Sequence, residues 1–143
     1  MTQPTERPHS QAPMRKLVYI AGPYAAPTPE ERAENVRRIG VLSRLALGLG
    51  LTPVTVHAAI DAGHFGQDSN PVDRKRGLDA ACTLAQWVAK SGGDLWVLTR
   101  DDGFLSPGCV METYAFQLTP SPGPVVSRTW AEWCEIIASV RPC

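Results

Sequence analysis

Apolar residues along this chain fall into short dense runs, separated by longer segments in which they recur every three or four positions. Lys16-Leu17-Val18-Tyr19-Ile20-Ala21 is a β-rich run closed by the breaker Gly22-Pro23. Thr28-Pro29-Glu30-Glu31 follows, with Thr as N-cap, Pro at the first helical position and Glu at the third, which is a capping box. Val36, Ile39, Leu42, Leu45, Ala46 and Leu49 then make one helix face, with Arg37, Arg38 and Arg44 off it, and Gly48 and Gly50 end the helix. Residues 51–57 predict a second strand. Residues 58–71 predict a long loop rich in Gly, Asp, Ser and Asn, of the kind that forms lids or mobile segments in compact domains. A helix is predicted over 72–90, ended by Ser91-Gly92-Gly93, and a third strand over 94–99. After a loop at 100–105, Ser106-Pro107 has the N-cap and first-turn proline of a helix running to about Leu118. A turn over 119–124, a short fourth strand at 125–127 and a last helix over 129–140 complete the chain.

The order is β-α-β-α-β-α-β-α. Such alternation predicts a parallel sheet with crossover helices on both faces. Right-handed crossovers make that a small doubly wound, flavodoxin-like α/β domain of four to five strands. Ligands in this architecture bind beyond the carboxyl ends of the strands. The loops after the first strand (22–27) and the third strand (100–108) are therefore expected to meet at a site.

Composition narrows the picture. With 143 residues there is room for one domain, taken as 16–143, behind an N-terminal lead over 1–15. That lead is polar and Pro-rich, so it reads as disordered and not as a secretory signal. Apolar residues are 43% and charged residues 20% of the chain, ordinary globular usage. Fourteen basic residues balance fourteen acidic ones, which leaves no electrostatic case for nucleic acid or an anionic membrane as partner. No apolar run approaches the ~20 residues of a membrane span. Cys82, Cys109, Cys134 and Cys143 form no C-x-x-C pair and read as free thiols of a reducing cytoplasm. His9, His57 and His64 are too scattered for a metal site, and neither metal nor cofactor is expected.

At the strand ends, Gly22 permits close backbone approach, but there is no G-x-G-x-x-G and no G-K-[ST], so dinucleotide and P-loop readings fall away. Ser106-Pro107-Gly108-Cys109-Val110-Met111-Glu112 places a hydroxyl and helix-start amides at the functional edge, an anion or hydroxyl site. Glu112 follows within two turns among mostly apolar neighbours, on the solvent face or held in a pocket.

Val18-Tyr19-Ile20-Ala21-Gly22-Pro23, Leu51-Thr52-Pro53-Val54 with His57, Gly93-Asp94-Leu95-Trp96-Val97 and Ser106-x-Gly108-x-x-x-Glu112 together resemble the nucleoside 2-deoxyribosyltransferase superfamily over about residues 16–127. That group includes 2'-deoxynucleoside 5'-phosphate N-hydrolases and hydroxymethyl-CMP hydrolases. The resemblance implies that Glu112 is a nucleophile, that Tyr19 holds its carboxylate, and that Gly22, beside Pro23, lies against the sugar or phosphate. It also implies that Ser106 helps hold a 5'-phosphate, since the hydrolase branch carries Ser where the transferases carry Asp; the helix-start amide at Gly108 is expected to join it. A second acid belongs on the helix before the third strand. The ungapped position is Gln86, so Asp79 is the candidate, with Asp73 as fallback. The implied substrate is a small-molecule nucleoside or nucleotide, cleaved at its N-glycosidic bond by hydrolysis. Base exchange between nucleosides and a non-catalytic nucleotide-binding module are the alternatives. A homodimer or higher homo-oligomer is expected too, because Trp130, Trp133, Ile136, Ile137 and Val140 make a wide apolar stripe on the last helix.

Overall fold

A computed structural model describes residues 14–64, 66–67 and 69–140. Strands β1 (Leu17–Ala21), β2 (Thr52–Val54), β3 (Asp94–Leu98) and β4 (Val125–Arg128) form one sheet in the order β2-β1-β3-β4. All three pairings are parallel, with Tyr19 opposite Val54 on one side and Leu95 on the other. The helices are α1 (Pro29–Gly48), α2 (His57–Asp61), α3 (Pro71–Lys90), α4 (Pro107–Gln117) and α5 (Trp130–Val140). This is the doubly wound, flavodoxin-like α/β fold. The chain leaves β1 toward one side of the sheet and β3 toward the other, so the strand order reverses between them and opens a crevice at their carboxyl ends.

The period-two alternation of β1 sorts its side chains between two cores. Val18 and Ile20 point to one face, where Ile39, Leu42, Leu45 and Ala46 of α1 and Trp133 of α5 cover Trp96 and Leu98. Tyr19 and Ala21 point to the other, beneath Ala81, Ala85, Val88 and Ala89 of α3 and Cys109 and Phe116 of α4. Fully burying a Leu or Ile contributes about 1.5–3 kcal/mol, so each face is held by several such side chains. Both long helices begin as their caps dictate. Thr28 Oγ1 accepts from Glu31 N at 3.1 Å, and Asn70 Oδ1 accepts from Val72 N and Asp73 N at 2.9 and 3.2 Å.

Four differences from the sequence reading stand out. The second strand is three residues long; β2 is an edge strand, which tolerates the missing N–H of Pro53. His57 therefore opens α2, a single short helix inside what the polar composition suggested was loop. The apolar stripe of α5 is covered in part by the domain's own sheet: Trp133 is 2% exposed, its ring lies 5.1 Å from that of Trp96, and its Nε1 donates to Val97 O, while Trp130, Ile136 and Ile137 are half-buried and Val140 is exposed. Finally, Arg15 donates to Leu47 O and Leu51 O at 3.0 and 2.8 Å, so the ordered domain begins at least one residue before 16. Residues 1–13 of the expected lead, and Cys143, lie outside the described residues. Cys82, Cys109 and Cys134 are free thiols. Among the described residues no helix is long and apolar enough to cross a membrane, and no group of three side chains is placed to hold a metal ion.

Candidate active site

The crevice is built mainly from three segments, each fixed by its own local chemistry, with Val56, His57 and Ile60 at the start of α2 completing its wall. The β1–α1 loop is held by side chains reaching its carbonyls. His57 Nε2 donates to Gly22 O at 2.8 Å, Asn35 Nδ2 to Tyr24 O at 3.1 Å, and Arg32 Nη1 to Ala26 O at 2.9 Å. Gly22 has little room for any side chain. A Cβ there would lie 2.7 Å from Ile39 Cδ1, the movable end of a side chain, and 3.2 Å from Leu98 Cβ, so a methyl fits only if both give way. The second segment is the first half of α3, which presents Arg74, Gly77, Leu78 and Ala81. The third is the start of α4, which presents Ser106, Pro107, Gly108 and Glu112.

These segments enclose an inner pocket of about 120 Å³. At about 30 Å³ per water, that is space for roughly four waters, or one sugar ring. Tyr24, Ala25, Ile60 and Arg74 also line an adjoining outer basin of about 450 Å³, whose further walls include Arg32, Asp61, Gln67 and Ser69.

Glu112 is the chemically unusual group. It is buried among apolar neighbours at 5% exposure, and Tyr19 Oη donates to its Oε2 at 2.5 Å. Burial pushes the Glu112 carboxyl up to about 7, with the Tyr19 hydrogen bond pulling the other way. Tyr19, itself fully buried, is pushed far above its ordinary value by burial and then by the adjacent carboxylate, so it remains a donor. This carboxyl is therefore poised between acid and carboxylate near neutral pH, as catalytic carboxyls are. Cys109 is no competing nucleophile, because burial pushes its thiol up to about 12. His57 is 3% exposed and burial lowers its pKa, so it is a neutral imidazole. With Nε2 donating to Gly22 O, its Nδ1 is the acceptor beside Thr55 Oγ1 at 3.3 Å.

The structure brings together Gly22, Pro23, Ser106, Gly108 and Glu112 on the pocket wall, with Tyr19 directly behind Glu112. It does not bring Asp79 there. Asp79 is on the outer face of α3, 61% exposed and paired with Lys75 at 2.9 Å. Asp73 is spent on Gln67 N at 3.0 Å and on Arg76, and it lines neither cavity. The helix-start anion site is also poorer than the motif suggested. Pro107 has no N–H, and Cys109 N donates to Ser106 Oγ at 3.3 Å, which leaves Gly108 as the one open first-turn amide. Sequence reasoning gave no role to His57, Tyr24 or Arg74. For His57 and Tyr24 no local pattern signals one. Arg74 did carry a signal, as a cation at the end of the first turn of a helix, where the dipole disfavours positive charge.

Residues 16–117 match a domain of unknown function, DUF7768. The chain belongs to the DUF7768 family. Every wall of the inner pocket lies within this DUF7768 span, from Gly22 through Glu112, while β4 and α5 lie beyond it. No curated protein and no solved structure matches the chain.

Proposed function

We propose that this DUF7768 protein cleaves the N-glycosidic bond of a nucleoside 5'-monophosphate, with Glu112 as nucleophile. The observation that carries the reading is the buried Glu112–Tyr19 pair on the wall of a sugar-sized pocket at the switch point of the sheet. The likeness of the Tyr19, Gly22 and Ser106-x-Gly108-x-x-x-Glu112 pattern to the nucleoside 2-deoxyribosyltransferases supports it. Glycosidic cleavage passes through an oxocarbenium-like state, which a carboxylate on the face opposite the leaving group both stabilises and traps. Tyr19 engages Oε2, so Oε1 attacks C1'. The C1'–N bond breaks and its electron pair leaves with the base. A glycosyl ester of Glu112 forms. Water then adds its oxygen to C1' and returns the carboxylate; one of its protons ends on the base nitrogen. The products are free base and sugar 5-phosphate, and small-molecule exchange through the open basin needs no macromolecular partner.

A panel of nucleosides and 5'-monophosphates, incubated with and without a second free base, tests this reading. Base release from monophosphates, lost by several orders of magnitude in Glu112→Ala, is the expected result. Base exchange in preference to hydrolysis would make the protein a transferase. Tight binding without turnover would make it a nucleotide-binding module.

A further inference from the structure

The cationic side chains of the cleft come from α3 and α1, and they share the outer basin with the carboxylate of Asp61. The amino-terminal end of α3 carries Arg74, Lys75 and Arg76 in succession, just after the Asn70 cap. Cations there oppose the helix macrodipole. Two of the three are answered on their own helix: Lys75 by Asp79 at 2.9 Å and Arg76 by Asp73 at 3.8 Å. Arg74, which has contacts of its own within the protein, lines both the inner pocket that holds Glu112 and the outer basin. A second guanidinium, Arg32 of α1, lines the same basin and is steadied by Ala26 O at 2.9 Å. The start of α4, which lines the inner pocket, offers by contrast one amide and a hydroxyl already engaged as a cap.

We propose that Arg74, seconded by Arg32, recognises the anionic group of the substrate, the 5'-phosphate, and that the start of α4 does not. The identity of the anion as a sugar phosphate rests on the glycosidase reading. The pocket that Arg74 shares with Glu112 is about one sugar ring across. A ring seated with C1' at Glu112 thus projects its 5'-substituent to a wall of that pocket. The basin of about 450 Å³ holds roughly fifteen waters, ample for a phosphate and its hydration. A guanidinium has five N–H donors in a planar fork, so Arg74 keeps its contacts within the protein and still takes a phosphate. A bound dianion also offsets the unfavourable placement of cations at the end of α3.

Calorimetric titration with 2-deoxyribose 5-phosphate, with 2-deoxyribose and inorganic phosphate as controls, tests this without requiring turnover. The parent protein should bind the sugar phosphate at least about tenfold more tightly than the neutral sugar, and less so as salt is raised. Arg74→Gln should lose about tenfold or more, Arg74→Lys should recover part of that, Arg32→Gln should lose less, and Ser106→Ala should stay within about threefold. Thermal unfolding of each variant shows that the fold is intact, and the Lys variant serves if the Gln variant is not. A parent that binds sugar and sugar phosphate alike would overturn the proposal. So would loss of phosphate preference in Ser106→Ala with Arg74→Gln unchanged. Arg74-dependent binding of the sugar phosphate, with no base released from any nucleotide, would leave this subsite standing and overturn the glycosidase reading alone.

Discussion

Replacing Glu112 by Gln should make the protein inactive and, above neutral pH, more stable relative to its parent than it is in acid. In the unfolded chain the carboxyl titrates near 4.5; in the folded protein burial holds it at about 7. Below pH 4.5 both states are protonated, and the stability associated with the neutral carboxyl is fully present. As pH rises from 4.5 to 7 the unfolded chain ionises while the folded one resists, so that stability is progressively lost, and the loss is complete above about 7. At about 1.4 kcal/mol per pH unit, the gap between the two values amounts to about 3 kcal/mol. Gln does not titrate. The difference in unfolding free energy between variant and parent should therefore grow by about 3 kcal/mol between pH 4.5 and 8, or about 10 °C in Tm for a chain of this length. His57 acts in the opposite sense. Burial lowers its pKa, so the stability tied to its neutral ring is present above 6.5 and lost as pH falls. It is common to both proteins and cancels in the difference. Urea unfolding of both proteins across this pH range, extrapolated linearly, measures the quantity directly. A difference that stays flat with pH would mean that Glu112 ionises freely in the folded state, and the argument from burial would fail.

The same shift governs activity, since attack requires the carboxylate: kcat/KM should rise with pH through about 7 and level off above it. Tyr19→Phe removes the donor that favours the charged carboxylate, at about 1.5–3 kcal/mol, so the midpoint of that rise should move about one to two pH units upward. An unmoved midpoint would show that Tyr19 does not hold Glu112. Gly22→Ala forces a methyl against Ile39 and Leu98 and should destabilise the protein by about 1–3 kcal/mol; denaturation at the parent's midpoint would refute the tight contact. The expected homo-oligomer has a second apolar surface besides the end of α5, where Val140 is exposed. The outer side of α4 exposes Val110, Met111, Tyr114 and Leu118, an uncharged face on a helix that is apolar on its inner side too. Light scattering at micromolar concentration should show an oligomer that Tyr114→Glu dissociates, and a monomeric parent would remove the expectation.

Much of the fold was legible because its signals are local. The cap at Thr28, the proline after Ser106 and the glycines at 92–93 each determine a chain boundary within a few residues, and period-two alternation in β1 separates Tyr19 from Val18 and Ile20 onto opposite faces. The Glu112–Tyr19 pair was legible too, but through a resemblance, since 93 residues separate the partners and no spacing rule joins them. What escaped was which residues of α3 face the pocket. Asp79 was attractive as an acid on the correct helix. Yet it lies two positions beyond Gly77, which faces the pocket, and such residues on a helix point to different sides. Arg74 lies three before Gly77 and one turn before Leu78, so it shares the pocket side with both. The α5 stripe was harder to read for a related reason: an apolar stripe is silent on whether its cover is the domain's own sheet or another molecule. Here tertiary contact answers for Trp133, which packs on Trp96, while Val140 at the far end of the stripe stays exposed.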